Sequence, residues 1–252
     1  MNQLSKYPHL KWYVSNLRSI PGGSYRYGAS PSQKRSGTRI TMSPFRMGAT
    51  PVTWGMWKEY RKSISVPGKE IKLPEDPGWG YPDDHPVVNV SWEDIINPGG
   101  FCEWASRTAG FELTLPSDAQ YEYAARGGKD GQEYPWGNEF DSNQVWGGTE
   151  VLGTVERVDK TGAVDRGYRI FRNRYGLTDM VGNVTQWCSD YFNHSRPLGK
   201  DPIDNRESKY RCVRGDSYAE YGSICFRCAS RGRLAANVRD YTLGFRLSAG
   251  PS

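Results

Sequence analysis

The chain has 252 residues, a formal charge of +5, 37% hydrophobic content and a mean hydropathy of −0.73. That length suits one domain. Lysine and arginine are interspersed with acids, which describes a solvated mixed surface and speaks against nucleic acid as a partner. No apolar run approaches the ~20 residues that a bilayer span needs. Residues 1–18 hold neither a signal-peptide core nor a lipidation cysteine, so we expect a cytoplasmic protein with no membrane span.

Nine Trp, 16 Tyr and 8 Phe offset the low apolar share, because each aromatic buries a large area. The 29 Gly and 16 Pro point to many turns and little regular structure. Five cysteines (102, 188, 212, 225 and 228) make an odd count, and reduced thiols are the expectation.

Residues 1–17 form an N-terminal arm without a motif, and residues 18–252 form the domain. Ile20 to Gly28 is a turn followed by a strand. Thr38 to Met47 alternates as a strand, with Ile40, Met42 and Phe45 on one side. Pro51 to Tyr60 is a helix capped by Thr53, with Met56, Trp57 and Tyr60 on its buried face. A Pro- and Gly-rich loop spans residues 67–82, and its Trp79 and Tyr81 are expected to pack. His85 to Trp92 is a strand that enters a second helix at Ser91; the helix stumbles at Asn97-Pro-Gly-Gly100 and resumes through Thr108. His85 has no partner at ligand spacing and takes a structural role. Leu115 to Arg126 is a third helix, capped by Ser117, with Tyr121, Ala124 and Ala125 buried. Glu122 and Arg126 are i,i+4 and are expected to form an ordinary surface pair. Residues 134–168 are turn-rich and aromatic.

The most informative stretch is Tyr175 to Trp187. It turns at Gly182-Asn183, two residue types that tolerate left-handed backbone. Val184 and Trp187 are three apart, which predicts a short helical turn or an irregular buried segment. Asp179 and Asp190 bracket this stretch and are read as turn caps.

Gly176-Leu-Thr-Asp-Met-Val-Gly-Asn-Val184, followed by Trp187, resembles the core signature of the formylglycine-generating enzyme, or sulfatase-modifying factor, family. Further blocks agree in order: Ile20-Pro-Gly-Gly-Ser24, Pro51-Val-Thr53, His85-Pro-Val-Val-Asn-Val-Ser-Trp92, Leu115 to Gly128, Tyr134-Pro-Trp-Gly137 and Gly244-Phe-Arg-Leu247. The resemblance covers roughly residues 18–248. It implies an α+β fold of the irregular, C-type-lectin-like kind.

The resemblance also implies chemistry, and there the chain departs from the pattern. Catalytic members bind copper(I) through two cysteines near the C-terminus. The matching stretch here is Gly215 to Cys225; the second cysteine is Cys225, but the first position is Glu220. A carboxylate is a hard ligand and does not replace a thiolate for copper(I), so copper is not expected. Cys225 and Cys228 form a C-x-x-C pair with no second pair to complete a four-thiolate site. The iron-dependent branch needs a three-histidine site, and His9, His85 and His194 lie far apart. Family calcium ligands would fall near Asn143 and Asp159, and at Asn183 with an acid at position 186. Position 186 is Gln, which weakens that site. The expectation is no cofactor, or one calcium ion at Asn183.

The tail resembles the variable proteins of diversity-generating retroelements, in which a fixed frame holds rewritten positions. A frame of Arg214-Gly215, Ser217, Cys225, Arg227, Ala229-Ser-Arg231, Arg239 and Gly244–Leu247 would hold Tyr218, Ala219, Tyr221, Ser223, Ile224, Phe226, Gly232, Leu234, Asn237, Val238, Asp240, Tyr241 and Thr242. Such a mixture of rigid aromatics with Ser and Asn is how antibody loops bind. The leading expectation is a non-catalytic domain binding a protein or glycan. The alternative is a copper oxidase with an altered site using Cys225, Cys228 and Glu220.

Overall fold

The computed structural model describes residues 3–34, 36–65, 73–76, 78–146 and 171–251. The N-terminal arm folds as helix α1 (Pro8–Ser15). Leu10 and Tyr13 of α1 are buried in the main core, and the Glu59 carboxylate accepts the main-chain N–H groups of His9 and Leu10 at 2.9 and 3.0 Å. Strands β1 (Leu17–Ile20) and β2 (Gly23–Tyr27) follow. The expected single strand over 38–47 is two, β3 (Thr38–Met42) and β4 (Phe45–Gly48). Pro44 between them lacks the N–H a continuous strand would use. β2 and β3 form a hairpin, while β1 and β4 pair antiparallel in a separate sheet.

Helix α2 (Trp54–Ile64) buries Met56, Trp57 and Tyr60. Thr53 occupies its N-cap position, but its side chain makes no capping hydrogen bond. Residues 85–90 do not form a strand: their backbone is held by an isolated bridge between Thr53 and Pro86 and by single bonds such as Val87 N–H to Val52 C=O. Helices α3 (Trp92–Ile96) and α4 (Phe101–Ala109) are broken at the Pro-Gly-Gly insertion, and α5 (Asp118–Ala125) follows. Ser91 and Ser117 each close a reciprocal capping box, with Asp94 and Gln120 as third residues.

The stretch after Gly182 enters strand β5 (Thr185–Tyr191), not a helical turn. Val184 and Trp187 are buried all the same, and Trp187 Nε1 donates to Val90 C=O at 3.0 Å. β5 is central to a sheet ordered β7 (Gly232–Leu234), β6 (Arg211–Arg214), β5, β8 (Leu243–Gly244); β5 and β8 run parallel. The last strand, β9 (Ser248–Ala249), returns to pair with β4. The main core is aromatic, with Trp57 stacked on Phe101 at 5.5 Å and Phe245 edge-on to both. Among the described residues no helix is long and apolar enough to cross a membrane.

Candidate functional site: the C-terminal loops

The site rests on α5. Its Asp118 and Glu122 are fully buried, and a buried carboxylate needs a paired charge. Arg214, at the end of β6, donates to Asp118 through Nε and to Glu122 through Nη2, the latter at 2.9 Å. Arg231 pairs with Asp118 at 2.7 Å, and Tyr27 donates its hydroxyl to the same carboxylate at 2.5 Å. Glu122 is also met by Arg126 at 2.7 Å and Arg196 at 3.1 Å. The Glu122–Arg126 pair is therefore not on the surface as expected; both side chains lie in the interior. Burial alone would raise the Asp118 carboxyl, but Arg214, Arg231 and Arg196 hold it below the usual carboxylate range.

The other frame arginines of the tail are also held by groups outside it. Arg227 pairs with Glu133 at 2.8 Å, and Arg239 donates to both oxygens of Asp94 at 3.0 and 2.7 Å. Arg246, fully buried, donates to Gln186 Oε1 at 2.7 Å and to the carbonyls of Gly48, Thr178 and Asp179.

The residues between these anchors divide by burial. Ala219, Tyr221, Ile224, Asn237, Asp240 and Tyr241 are exposed, with Tyr221 at 52% and Ile224 at 59%. Tyr218, Ser223, Leu234, Val238 and Thr242 are half-buried. Leu234 and Val238 pack on the main core. Thr242 is bound to Asp240, its N–H and hydroxyl both donating to Oδ1, so this pair shapes its own turn. The Tyr218 ring meets Trp79 edge-on at 6.1 Å. Phe226 departs from the expectation: it is fully buried and stacked on Phe140 at 6.1 Å, within a small core that includes Tyr134 and Val181. It supports the loop from beneath and presents nothing to a ligand.

Glu220 and Cys225 do come together. Cys225 Sγ lies 4.0 Å from Glu220 Oε2 and 3.4 Å from the Tyr221 carbonyl. Burial and then the carboxylates of Asp216 and Glu220 push the Cys225 thiol up, which disfavours the thiolate that copper(I) requires. Cys228 is not its partner. It is buried in the second core cluster, its N–H donating to the Glu133 carbonyl at 2.8 Å, and burial pushes its thiol up to about 12. All five cysteines are free. Among the described residues no three His, Cys, Asp or Glu side chains gather to hold a metal.

The turn at Asn183 fits calcium poorly. Asn183 has φ +61, and its buried side-chain oxygen and Asp179 Oδ2 are two acceptors of this turn without a hydrogen-bond partner. Gln186, at the position of the family's acid, spends Oε1 on Arg246 and Nε2 on the Asp179 carbonyl. A guanidinium thus already supplies positive charge to this turn, and it opposes a dication. Asn143 is bound to Asp141, and Asp159 lies outside the described residues. The carboxyl of Asp179 is pushed by burial up to about 6, against the pull of Arg246. Asp190 is no simple cap: it accepts the N–H groups of Asp118 and Asp204 at 2.9 and 2.8 Å, tying α5 to β5 and the 204 loop.

Sequence reasoning missed the acids on α5. The available signal was Asp118 and Glu122 at i,i+4 on the same helix as Tyr121 and Ala125, in a chain whose tail frame holds five arginines. It also passed over Arg196, which reaches Glu122 from the segment after β5.

Comparison with known proteins agrees with this architecture. Residues 10–249 match the model of the sulfatase-modifying factor enzyme 1-like domain. The formylglycine-generating enzyme of Thermomonospora curvata is 32% identical over 217 residues, covering 80% of this chain and 68% of that protein. The mouse protein named inactive C-alpha-formylglycine-generating enzyme 2 is 28% identical over 280 residues, covering 91% of this chain and 84% of its own. The chain spans only half the length of the mouse formylglycine-generating enzyme it also matches. Among solved structures, Treponema denticola variable protein 1 superposes with a TM-score of 0.73 at 22% identity, over 93% of this chain and 95% of that one. With residues 10–249 matched by the family model and a relative 32% identical over 80% of the chain, the chain is a member of the sulfatase-modifying factor, or formylglycine-generating enzyme, family.

Proposed function

We propose that this chain is a non-catalytic ligand-binding member of the family, the variable protein of a diversity-generating retroelement, which offers its C-terminal loops to a protein or glycan. The observation that carries this reading is the division of labour in the tail. Arg214, Arg227, Arg231, Arg239 and Arg246 are each held by a partner outside the tail, while Ala219, Tyr221, Ile224, Asn237 and Tyr241 between them are exposed. Side chains that do not hold the fold can change without unfolding it. The shared fold of a variable protein over nearly the whole chain supports the same reading. Five free thiols suit a reducing, cytoplasmic setting.

The test is genetic. The DNA around the gene should carry a near-copy of the codons for Arg214 to Leu247 that differs from them chiefly at adenines. The differing codons should fall on the exposed positions and spare the arginines. A locus with no such copy would overturn the retroelement reading.

A second reading is an oxidase of the formylglycine-generating type with altered ligands. One observation favours it: Glu220 and Cys225 meet at 4.0 Å, at the positions where the resemblance puts the copper thiolates.

A further inference from the structure

A cavity of about 340 Å³ opens between the segment that follows β5 and the 224–231 loop. Arg196, Arg227, Arg231 and His194 line it, with Phe192 and Ile224 at its walls. No acidic side chain is among its described lining residues.

The charge beneath it does not balance. Five guanidiniums (Arg126, Arg196, Arg214, Arg227 and Arg231) are ion-paired with three carboxylates (Asp118, Glu122 and Glu133) among the described residues. Within these ion pairs the guanidiniums outnumber the carboxylates by two. Two further acids stand outside these pairs and do not line the cavity: Asp216 accepts the Ser230 hydroxyl at 3.1 Å, and Asp190 accepts the Asp118 main-chain N–H at 2.9 Å. Hydrogen bonding is incomplete as well: Arg227 Nη1 and Arg231 Nε are buried and have no acceptor. Arg196 and Arg231 are rigidly placed, the first over the Tyr27 ring at 4.5 Å and the second over Phe192 at 4.6 Å. Their side chains are only 17% and 7% exposed, so the charge sits where water screens it weakly. Preorganised, partly desolvated guanidiniums in excess over carboxylates are the chemistry that recognises tetrahedral oxyanions.

We propose that this cavity is a binding site for a small oxyanion group of the sulfate or phosphate class. It shares Ile224 with the exposed C-terminal loops, yet it rests on the charge balance and stands whether or not those loops are diversified. The full chain is titrated calorimetrically with sodium sulfate and, separately, sodium phosphate at constant ionic strength, with chloride as the background anion. Saturable one-to-one binding of at least one of the two is expected, and the tighter of them identifies the group. Ile224→Glu places a carboxylate at the mouth without touching a paired arginine and should weaken binding about tenfold. Arg196→Gln leaves Glu122 still paired with Arg126 and Arg214 and should weaken it similarly, whereas Arg196→Lys should retain most of it. Absence of saturable binding to either anion, or binding undiminished in both Ile224→Glu and Arg196→Gln, would overturn the proposal.

Discussion

A carboxylate oxygen of Glu220 stands 4.0 Å from the sulfur of Cys225, one hard ligand beside one soft one. A linear copper(I) site needs two soft ligands, and the second thiol of the tail, Cys228, is buried elsewhere. In a copper(I) titration against a competing chelator, the wild type should not bind tightly. Glu220→Cys should create one-to-one binding that is lost again when Cys225→Ala is added. Tight binding by the wild type that vanishes in Cys225→Ala would sink the non-catalytic reading and revive the oxidase.

The frame and the exposed loop residues should differ sharply in their cost. Arg214→Met breaks a buried pair with Asp118 and Glu122 and should destabilise by about 3–5 kcal/mol, because two carboxylates lose a partner. Tyr221→Ala, Ile224→Ala and Tyr241→Ala should each fall within about 0.5 kcal/mol of the wild type. Urea unfolding measures both; comparable losses in the two groups would remove the basis for a tolerant binding surface.

Phe226 tests the correction made above. Fully buried against Phe140, it should cost about 3–5 kcal/mol when cut to Ala, in line with other buried aromatics. A neutral Phe226→Ala in the same urea experiment would mean that the ring is not part of the loop's support.

The pH dependence has a definite sign. Asp179, Asp190 and Asp216 are pushed from 3.8 up to about 6, chiefly by burial. The folded state therefore holds protons that the unfolded chain has released between roughly pH 4 and 6. Their contribution is full below about pH 4 and is lost as pH rises through about 6. Asp179→Asn removes one such proton, and Asn tolerates the φ of +51 at that position. The variant should gain about 2 kcal/mol on the wild type between pH 4 and 7. Parallel stability curves for the two proteins over that range would refute the assignment. Asp118 and Glu122 act oppositely: held low by their arginines, they contribute above the normal carboxylate range and lose that contribution as pH falls.

Arg246 gives a metal prediction. Its guanidinium serves the Gln186 side chain and three carbonyls around the turn, so folding there should not depend on calcium. Thermal unfolding with and without EDTA should give the same Tm. A marked drop on chelation, restored by calcium, would show that Asn183 and its neighbours hold an ion in spite of the arginine.

Much of this was legible in the chain, and what was not has physical reasons. The capping boxes at Ser91 and Ser117 and the buried stripe of α2 follow from local spacing, and local spacing survives folding. Of the two expectations for Val184 and Trp187, a helical turn and an irregular buried segment, the first fails: Val184 is buried in irregular backbone and Trp187 in β5, since three-residue spacing alone cannot separate these cases. Residues 85–90 carry the β-branched composition of a strand, yet their neighbours offer single hydrogen bonds and no ladder. In the tail, the frame of arginines was visible while its partners were not. Asp118 and Glu122 lie about 90 residues earlier, and only the fold brings them beneath Arg214. Phe226 was misread because a tail aromatic looks the same whether it faces a ligand or Phe140.

The closing segment has a consequence for how the chain acquires its structure. β9 pairs with β4 across roughly 200 residues, and the N–H of Leu247 donates to the Tyr13 hydroxyl at 2.9 Å. Phe245 completes the stacked aromatic core of Trp57 and Phe101. During synthesis Tyr13 of the first helix must wait for the last segment, and Asp118 on α5 has no guanidinium until Arg214 and Arg231 leave the ribosome, whereas Glu122 can already meet Arg126. The half-made chain therefore lacks Phe245 from its aromatic core and both arginines from Asp118. Topology of this kind folds slowly because loop closure precedes its reward. The same C-terminal segment that carries Leu247 and Phe245 therefore completes contacts begun at Tyr13 and Trp57, so its residues serve the fold as well as the surface.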